Sequence, residues 1–257
     1  MKKVALFSVF PALLLALASA AYADTVTIGT YATGQTAGSM GYTASNPLTY
    51  EGYQSATWNG TTYNLNGTYT AAGSSTTYNL GTNPGTWSPA VGSSEWVSNA
   101  AGTQPGGGVT DPTGNYTYEQ TFTAAGGPGT YSGTLQVQAD DTVEIILNGT
   151  LNANGTVTGG TTLVTFGALG GDSECADNQP NCTSVDTVSL SGIALNAGTN
   201  TLIVVDEQTV YDAGVDYQLM LTTPEGGAAL MYLLLAGLAC FGTMLFSRNQ
   251  LGKCTAA

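Results

Sequence analysis

Between Asp24 and Phe246 the chain contains no lysine, arginine or histidine. Its only four cations are Lys2, Lys3, Arg248 and Lys253, set against seventeen carboxylates in a chain of 257 residues with net charge −13. The central two hundred or so residues therefore contain no side-chain cation to form a salt bridge. Nucleic-acid binding is excluded, because affinity for phosphates comes largely from Lys and Arg displacing counterions. Anionic polysaccharides held by charge are disfavoured for the same reason. The missing histidine removes Ser-His-Asp and Cys-His catalysis and imidazole zinc sites, and the missing lysine removes Schiff-base chemistry. Only carboxylate-pair chemistry of the glycosidase kind survives this filter, and nothing in the sequence selects a pair. The chain is thus read as non-enzymatic. Cations, above all hard ones such as Ca²⁺ that prefer oxygen ligands, and neutral partners are what such a body can attract.

Long apolar runs are confined to the two ends. Residues 1–23, MKKVALFSVFPALLLALASAAYA, combine two lysines, an apolar stretch and Ala21-Tyr22-Ala23 before Asp24. This is the pattern of a secretory signal peptide cleaved after Ala23. Residues 228–246 carry no charge. As a helix they would measure about 28 Å, close to the ~30 Å hydrocarbon core of a bilayer, so one transmembrane helix is predicted there. Arg248 and Lys253 follow it and set an N-out, C-in orientation by retention of cations on the cytoplasmic side.

Helical periodicity is absent from residues 24–222. Short runs of β-branched and aromatic residues alternate with Gly, Asn, Ser and Pro clusters, which reads as strands joined by turns. The candidates are 25–31, 61–69, 116–123, 133–138, 142–147, 162–166, 184–190, 201–205 and 217–222. Their number and spacing predict an all-β fold, an antiparallel jelly roll or β-sandwich. The peptide TTYNL occurs at 61–65 and again at 76–80, and a pair of hairpin strands is the expected explanation. Residues 99–114, NAAGTQPGGGVTDPTG, are the linker candidate because Gly and Pro make extended order costly. Residues 24–112 form a polar Gly/Thr/Asn-rich β region and 113–222 a second β portion, either separate or one domain.

Cysteine is scarce. Cys175 and Cys182 enclose a six-residue acidic loop, and in an exported region they are read as a disulfide, worth roughly 2–3 kcal/mol in the chain-entropy model. Asp140 and Asp141 are adjacent, so in a strand they would point to opposite faces; a solvated β-turn and a cation-ligand role both remain open. Asp206, at the end of a strand, is a third candidate metal ligand. The acids at 172, 174 and 177 around the cysteines either hold a cation or are simply solvated. Large aromatics are more often core than recognition residues; Tyr211, in a polar loop, and Trp96 are the candidates for stacking on a carbohydrate.

Two resemblances follow from these residues. Pro224, Glu225, Gly226 and Gly227, then the apolar helix, then Arg248 and Lys253 together resemble the PEP-CTERM sorting tail, residues 223–257 here, of exopolysaccharide-producing Gram-negative bacteria. Gly226-Gly227 stands where that family usually has Pro, which makes the tail a variant. The resemblance implies recognition by an exosortase, a membrane transpeptidase, and a place in the inner membrane or, after sorting, on the outer surface or in the matrix. The succession TLQVQADDTVEIILNGT, with Asn148-Gly149, followed by Leu195, Gly198, Asn200 and Leu202, resembles the galactose-binding-like jelly roll over roughly residues 96–222. That likeness implies a β-sandwich, a neutral-carbohydrate ligand and a structural Ca²⁺.

Overall fold

The computed structural model describes residues 24–33, 47–124, 128–169, 174–175, 183–209, 211–223 and 235–238. Its first strands in chain order are β1 (Thr25–Gly29), β2 (Thr49–Trp58), β3 (Tyr63–Leu65), β4 (Thr70–Ser75), β5 (Tyr78–Gly81) and β6 (Trp96–Ser98). Next come β7 (Gly114–Thr123), β8 (Gly129–Asp140), β9 (Thr142–Leu147), β10 (Thr150–Leu151) and β11 (Val157–Thr158). The series closes with β12 (Thr161–Val164), β13 (Glu174–Cys175), β14 (Asp186–Leu195), β15 (Thr199–Gln208) and β16 (Gly214–Thr222).

These strands build two seven-stranded sheets and a small β10–β11 ribbon. In the first sheet β16 lies along β8 from Gly214↔Asp140 to Thr222↔Ser132. The other edge of β16 takes β1 antiparallel from Thr25↔Thr222 and β6 at Val215↔Val97, while β14 lines the far side of β8. In the second sheet the order runs β12-β9-β15-β7-β2. The pairing is antiparallel apart from β13 on β8 and an isolated bridge at Ala32↔Leu48.

Alternation decides which side chains meet between the sheets. Leu135, Val137 and Ala139 of β8, with Val215, Tyr217, Leu219 and Leu221 of β16, pack against Val143, Ile145 and Leu147 of β9, Leu202 and Val204 of β15, and Tyr116, Tyr118 and Phe122 of β7. Burial of such side chains contributes about 1.5–3 kcal/mol each, and it substitutes for the ion pairs this body cannot form. Gly133 is required where β8 meets β16: a Cβ there would lie 1.9 Å from the Met220 carbonyl oxygen.

The outer face of the first sheet is partly covered as well. Trp87 and Trp96 stack with ring centroids 4.3 Å apart and form a second apolar cluster with Leu80. Beneath this cover the wholly buried Asp216 accepts from Thr30 Oγ1 (2.9 Å), Val91 N (2.8 Å), Gln138 Nε2 (2.9 Å) and Ser94 Oγ. Residues near both ends of the chain and from the 87–98 segment are thus tied to one carboxylate.

Thr25–Thr222 forms one compact unit, in which strands from before and after residue 112 share both sheets. The second unit comprises Met1–Asp24 and Thr223–Ala257, where Thr223 N donates to Asp24 O at 3.0 Å. The two TTYNL copies do not pair with each other: the first forms β3 beside β2 and the second β5 beside β6, in different sheets. The expected pair of hairpin strands is thus corrected: each copy pairs with a different strand. The strand β2 was not foreseen at all.

Among the described residues no helix is long and apolar enough to cross a membrane. Of the predicted span 228–246 only 235–238 are described, and these form a helical turn. The predicted signal peptide 1–23, the sorting residues Pro224, Glu225, Gly226, Gly227, Arg248 and Lys253, and Cys182 of the predicted disulfide lie outside the described residues.

Candidate functional site: an acidic end of the sandwich

Five strand ends converge at one end of the sandwich. The register sets Gly214 opposite Asp140, Asp206 opposite both Val143 and Tyr116, and Gln208 opposite Gly114. Three predicted ligand candidates, Asp140, Asp141 and Asp206, all fall here, and all three are buried. The expectation of a solvated turn for Asp140 and Asp141 is therefore corrected. β8 runs through Asp140 and β9 starts at Thr142, so the polypeptide passes between sheets without a loop long enough to reach solvent. The Asp140–Asp141 peptide is cis, and the two carboxyls interact through a side-chain hydrogen bond instead of pointing to opposite faces.

Their partners differ. Asp140 Oδ2 accepts the indole N–H of Trp87 at 3.1 Å. Asp141 Oδ2 accepts the Thr209 hydroxyl at 2.6 Å and the Thr209 backbone N–H. Asp206 is 0% exposed, and neither of its carboxyl oxygens has a hydrogen-bond partner. It shares the inward face of β15 with Leu202 and Val204, which belong to the core. Two positions further on, Gln208 is also 0% exposed, with both amide atoms unpartnered.

Asp111 completes the group from the segment predicted as a linker. Its N–H donates to the Tyr211 carbonyl at 2.9 Å, and its Oδ1 accepts from Asn99 Nδ2 at 3.3 Å, while Oδ2 is buried without a partner. The covering segments are held in place by Ala213 N donating to the Thr103 carbonyl at 3.1 Å, by the Thr103 hydroxyl donating to the Ala213 carbonyl at 2.8 Å, and by the Thr113 hydroxyl donating to the Thr209 carbonyl.

The electrostatics follow from burial without compensation. Burial pushes the Asp206 carboxyl well above the usual carboxylate range, and Asp141, Asp111 and Glu207 push the same way. Burial also lifts Asp140, with Asp141, Asp206 and Asp212 adding to it. Asp111 is raised to about 6 by burial, held back by its bond from Asn99. Asp216, under the tryptophan cover, is raised because burial outweighs its four donors. Tyr118, fully buried beside the cluster, is pushed up by burial and then by Asp206 and Asp111.

The donor set fits a hard cation in kind. Orphaned carboxylate and carboxamide oxygens are the ligands Ca²⁺ takes, and no imidazole exists in the chain. Among the described residues no three His, Cys, Asp or Glu side chains converge as a ready-made metal centre, so carboxylates alone would not complete a coordination shell.

The carbohydrate candidates separate sharply. Trp96 is 0% exposed; its ring lies on Trp87 and its Nε1 donates to the Ser88 carbonyl at 3.0 Å. It offers no ring face to a sugar, because its strand places it under the outer cover. Tyr211 is 60% exposed with φ of 76°, a backbone conformation rare for a bulky residue, and it stands at the rim of the acidic end.

Sequence reasoning passed over Asp111, Gln208 and Asp216. The alternation in TLIVVDEQ is the signal that was available: extending the inward set from Leu202 and Val204 by two and by four places Asp206 and Gln208 on the core face. No such pattern marks Asp111, whose position depends on a distant backbone bridge to Tyr211.

No family model and no curated protein matches the chain. Among solved structures it is similar to an isomalto-dextranase of Arthrobacter globiformis T6 complexed with panose, at 12% identity and TM-score 0.28, covering 78% of this chain and 32% of that one. It is also similar to a structure of infectious bursal disease virus Gx strain, at 10% identity and TM-score 0.24, covering 80% of this chain and 57% of that one. The chain thus spans about a third and just over half of those proteins. At these TM-scores neither likeness bears on function.

Proposed function

We propose that this chain is an exported, non-enzymatic protein of the cell envelope or extracellular matrix of a Gram-negative bacterium. Its β-sandwich is displayed outside the inner membrane, and the C-terminal tail either anchors it there or is processed by an exosortase-type transpeptidase. Exopolysaccharide is the surrounding material in this reading. The observation that carries it is the coincidence of boundaries. The compact β unit is Thr25–Thr222, starting just after the predicted cleavage site and stopping short of Pro224, and it lies wholly within a cation-free stretch that runs from Val4 to Ser247. A body folded without one Lys, Arg or His, between two apolar segments whose outer flanks carry all four cations, suits display on the far side of a membrane. The same lack of His and Lys leaves the sandwich without most of the usual catalytic groups.

The test is fractionation of cells expressing the full chain and a form lacking residues 224–257. The full chain is expected with membranes or envelope, and the shortened form in the soluble periplasmic or culture fraction. A shortened form still bound to membranes would refute the anchoring role of the tail.

A second reading, a module for neutral carbohydrate, is favoured by the exposed Tyr211 beside the acidic end. Stacking of a sugar ring on Tyr211 predicts that Tyr211→Ala abolishes binding to neutral glycans on an array. Clean failure of the full chain across neutral glycans would leave display alone.

A further inference from the structure

We infer that Asn59, Asn66 and Asn154 are acceptor sites for N-linked oligosaccharide, attached once the chain has been exported; the inference rests on the export reading above. The sequence holds four Asn-Gly pairs, at Asn59, Asn66, Asn148 and Asn154, and Thr follows every one of them. Asn-x-Thr, with x other than Pro, is the acceptor pattern of N-glycosylation in exported proteins. Tight turns account for Asn-Gly by itself, and Gly60 and Gly155 do take φ of 88° and 83°. A turn does not require a hydroxyl two residues after the asparagine.

The fold sorts these positions into two kinds. Asn115, which begins Asn-Tyr-Thr, lies in β7 between Gln54 of β2 and Glu207 of β15, and its Oδ1 accepts the Tyr63 hydroxyl at 2.6 Å. Asn148 donates from Nδ2 to Asn200 Oδ1 at 3.0 Å and accepts from Thr201 N at 3.0 Å. Both carboxamides are half-buried and engaged in the fold. Asn59, Asn66 and Asn154 are exposed and stand in the β2–β3, β3–β4 and β10–β11 connections. Their side-chain hydrogen bonds run through Oδ1, which leaves Nδ2 to solvent.

At two of the three, the hydroxyl of the pattern is already in contact with the carboxamide. Thr61 Oγ1 donates to Asn59 Oδ1 at 3.0 Å, and Thr156 Oγ1 donates to Asn154 Oδ1 at 2.7 Å. Each bond holds the carboxamide by its oxygen and presents the nitrogen that is to be modified. The step is a group transfer performed by a membrane glycosyltransferase of the cell. Nδ2 attacks the anomeric carbon of an oligosaccharide carried on a lipid pyrophosphate. The bond from that carbon to the phosphate oxygen breaks, the lipid pyrophosphate leaves with the electron pair, and Nδ2 gives up one proton.

The placement has a physical consequence. β3 lies between Asn59 and Asn66, ends its sheet among the described residues and exposes Leu65. A free strand edge is a template for pairing with other chains, and bulky sugar at both ends of β3 screens it. The turns of Asn66 and Asn154 adjoin each other, since a Cβ on Gly155 would lie 2.4 Å from Tyr69 Cδ2.

The experiment is mass spectrometry, with electron-transfer fragmentation, of chymotryptic peptides of the full chain recovered from the envelope of the bacterium that encodes it. Sugar mass is expected on Asn59, Asn66 and Asn154, and none on Asn115 or Asn148. Thr61→Val, which keeps the shape and removes the hydroxyl, should strip Asn59 alone. Bare peptides at all three sites, in a chain that starts at Asp24, would overturn the inference and leave the export reading standing. A chain that keeps residues 1–23 and carries no sugar would overturn both. Sugar on Asn115 and Asn148 as readily as on the other three would overturn the selection by the fold.

Discussion

Asp206 and Asp216 are both wholly buried, yet Asp216 accepts four hydrogen bonds and Asp206 accepts none. The first sits on the inner face of the second sheet and the second on the outer face of the first. The contrast separates a carboxylate that organises the fold from one whose burial goes uncompensated.

Asp216 ties Thr30, Val91, Ser94 and Gln138 together. Replacing it with Ala strands those donors in a dry interior, and the expected loss is about 3–5 kcal/mol. Asp216→Asn should also destabilise, since its amide donates where acceptance is needed. In EGTA, by contrast, Asp206→Asn is expected to be neutral or stabilising, because it removes an unpaired charge and breaks no hydrogen bond. Urea unfolding of the three variants checks this; equal losses for Asp206→Asn and Asp216→Asn would contradict it.

Stability should fall as the pH rises. An acid whose folded-state pKa is raised binds more protons folded than unfolded, so its stabilising effect is complete below its unfolded value, near 4, and is lost as the pH climbs through the folded one. Asp111, raised to about 6, sets a first loss between about pH 4 and 6, worth up to roughly 3 kcal/mol at about 1.4 kcal/mol per pH unit. Asp206 and Asp140, pushed well up by burial and then by neighbouring carboxylates, Asp141 first in each case, extend the decline to higher pH. Tm measured in EGTA from pH 4.5 to 8 should drop throughout, and Asp111→Asn should flatten the lower part of the curve. A Tm that climbs over that range would contradict the burial of these acids.

Gly133 lies opposite Leu221 where β8 pairs with β16, with the Met220 carbonyl oxygen 1.9 Å from where a Cβ would sit. Gly133→Ala must push apart two central strands of the first sheet, and a loss of about 3 kcal/mol or more is expected. Gly192→Ala serves as the comparison: its φ of 69° strains the new residue, but nothing lies within 4 Å of the added carbon, so its cost should stay near about 1 kcal/mol. Circular dichroism melts of the two variants distinguish a steric from a conformational cost.

Much of the second half was legible because its strands bury one face and expose the other. Residues 142–147 were read with the bounds the structure gives β9, and the Asn148-Gly149 turn appears with Asn148 at φ 55°, tied to Asn200 at 3.0 Å. The first half was harder. β2, TYEGYQSATW, mixes Tyr with Gly, Gln and Ser, and an irregularity between Tyr50 and Gly52 breaks its register against β7, so no period of two runs through it. At the acidic end, strand periodicity places Asp206 and Gln208 inward, but it cannot foresee that Asp111 and Tyr211, a hundred residues apart, form a bridge. Trp96 illustrates the opposite difficulty: an aromatic residue in a polar stretch reads as a surface platform until Trp87 folds over it.

The central claim, an exported body whose fold begins where a leader ends, is tested most directly by the intact mass of the protein recovered from the envelope of a Gram-negative cell expressing the full chain. A mass corresponding to a chain that starts at Asp24, with or without the residues beyond Pro224, is the predicted result. A mass that still includes residues 1–23, from protein recovered in the cytosol, would contradict it.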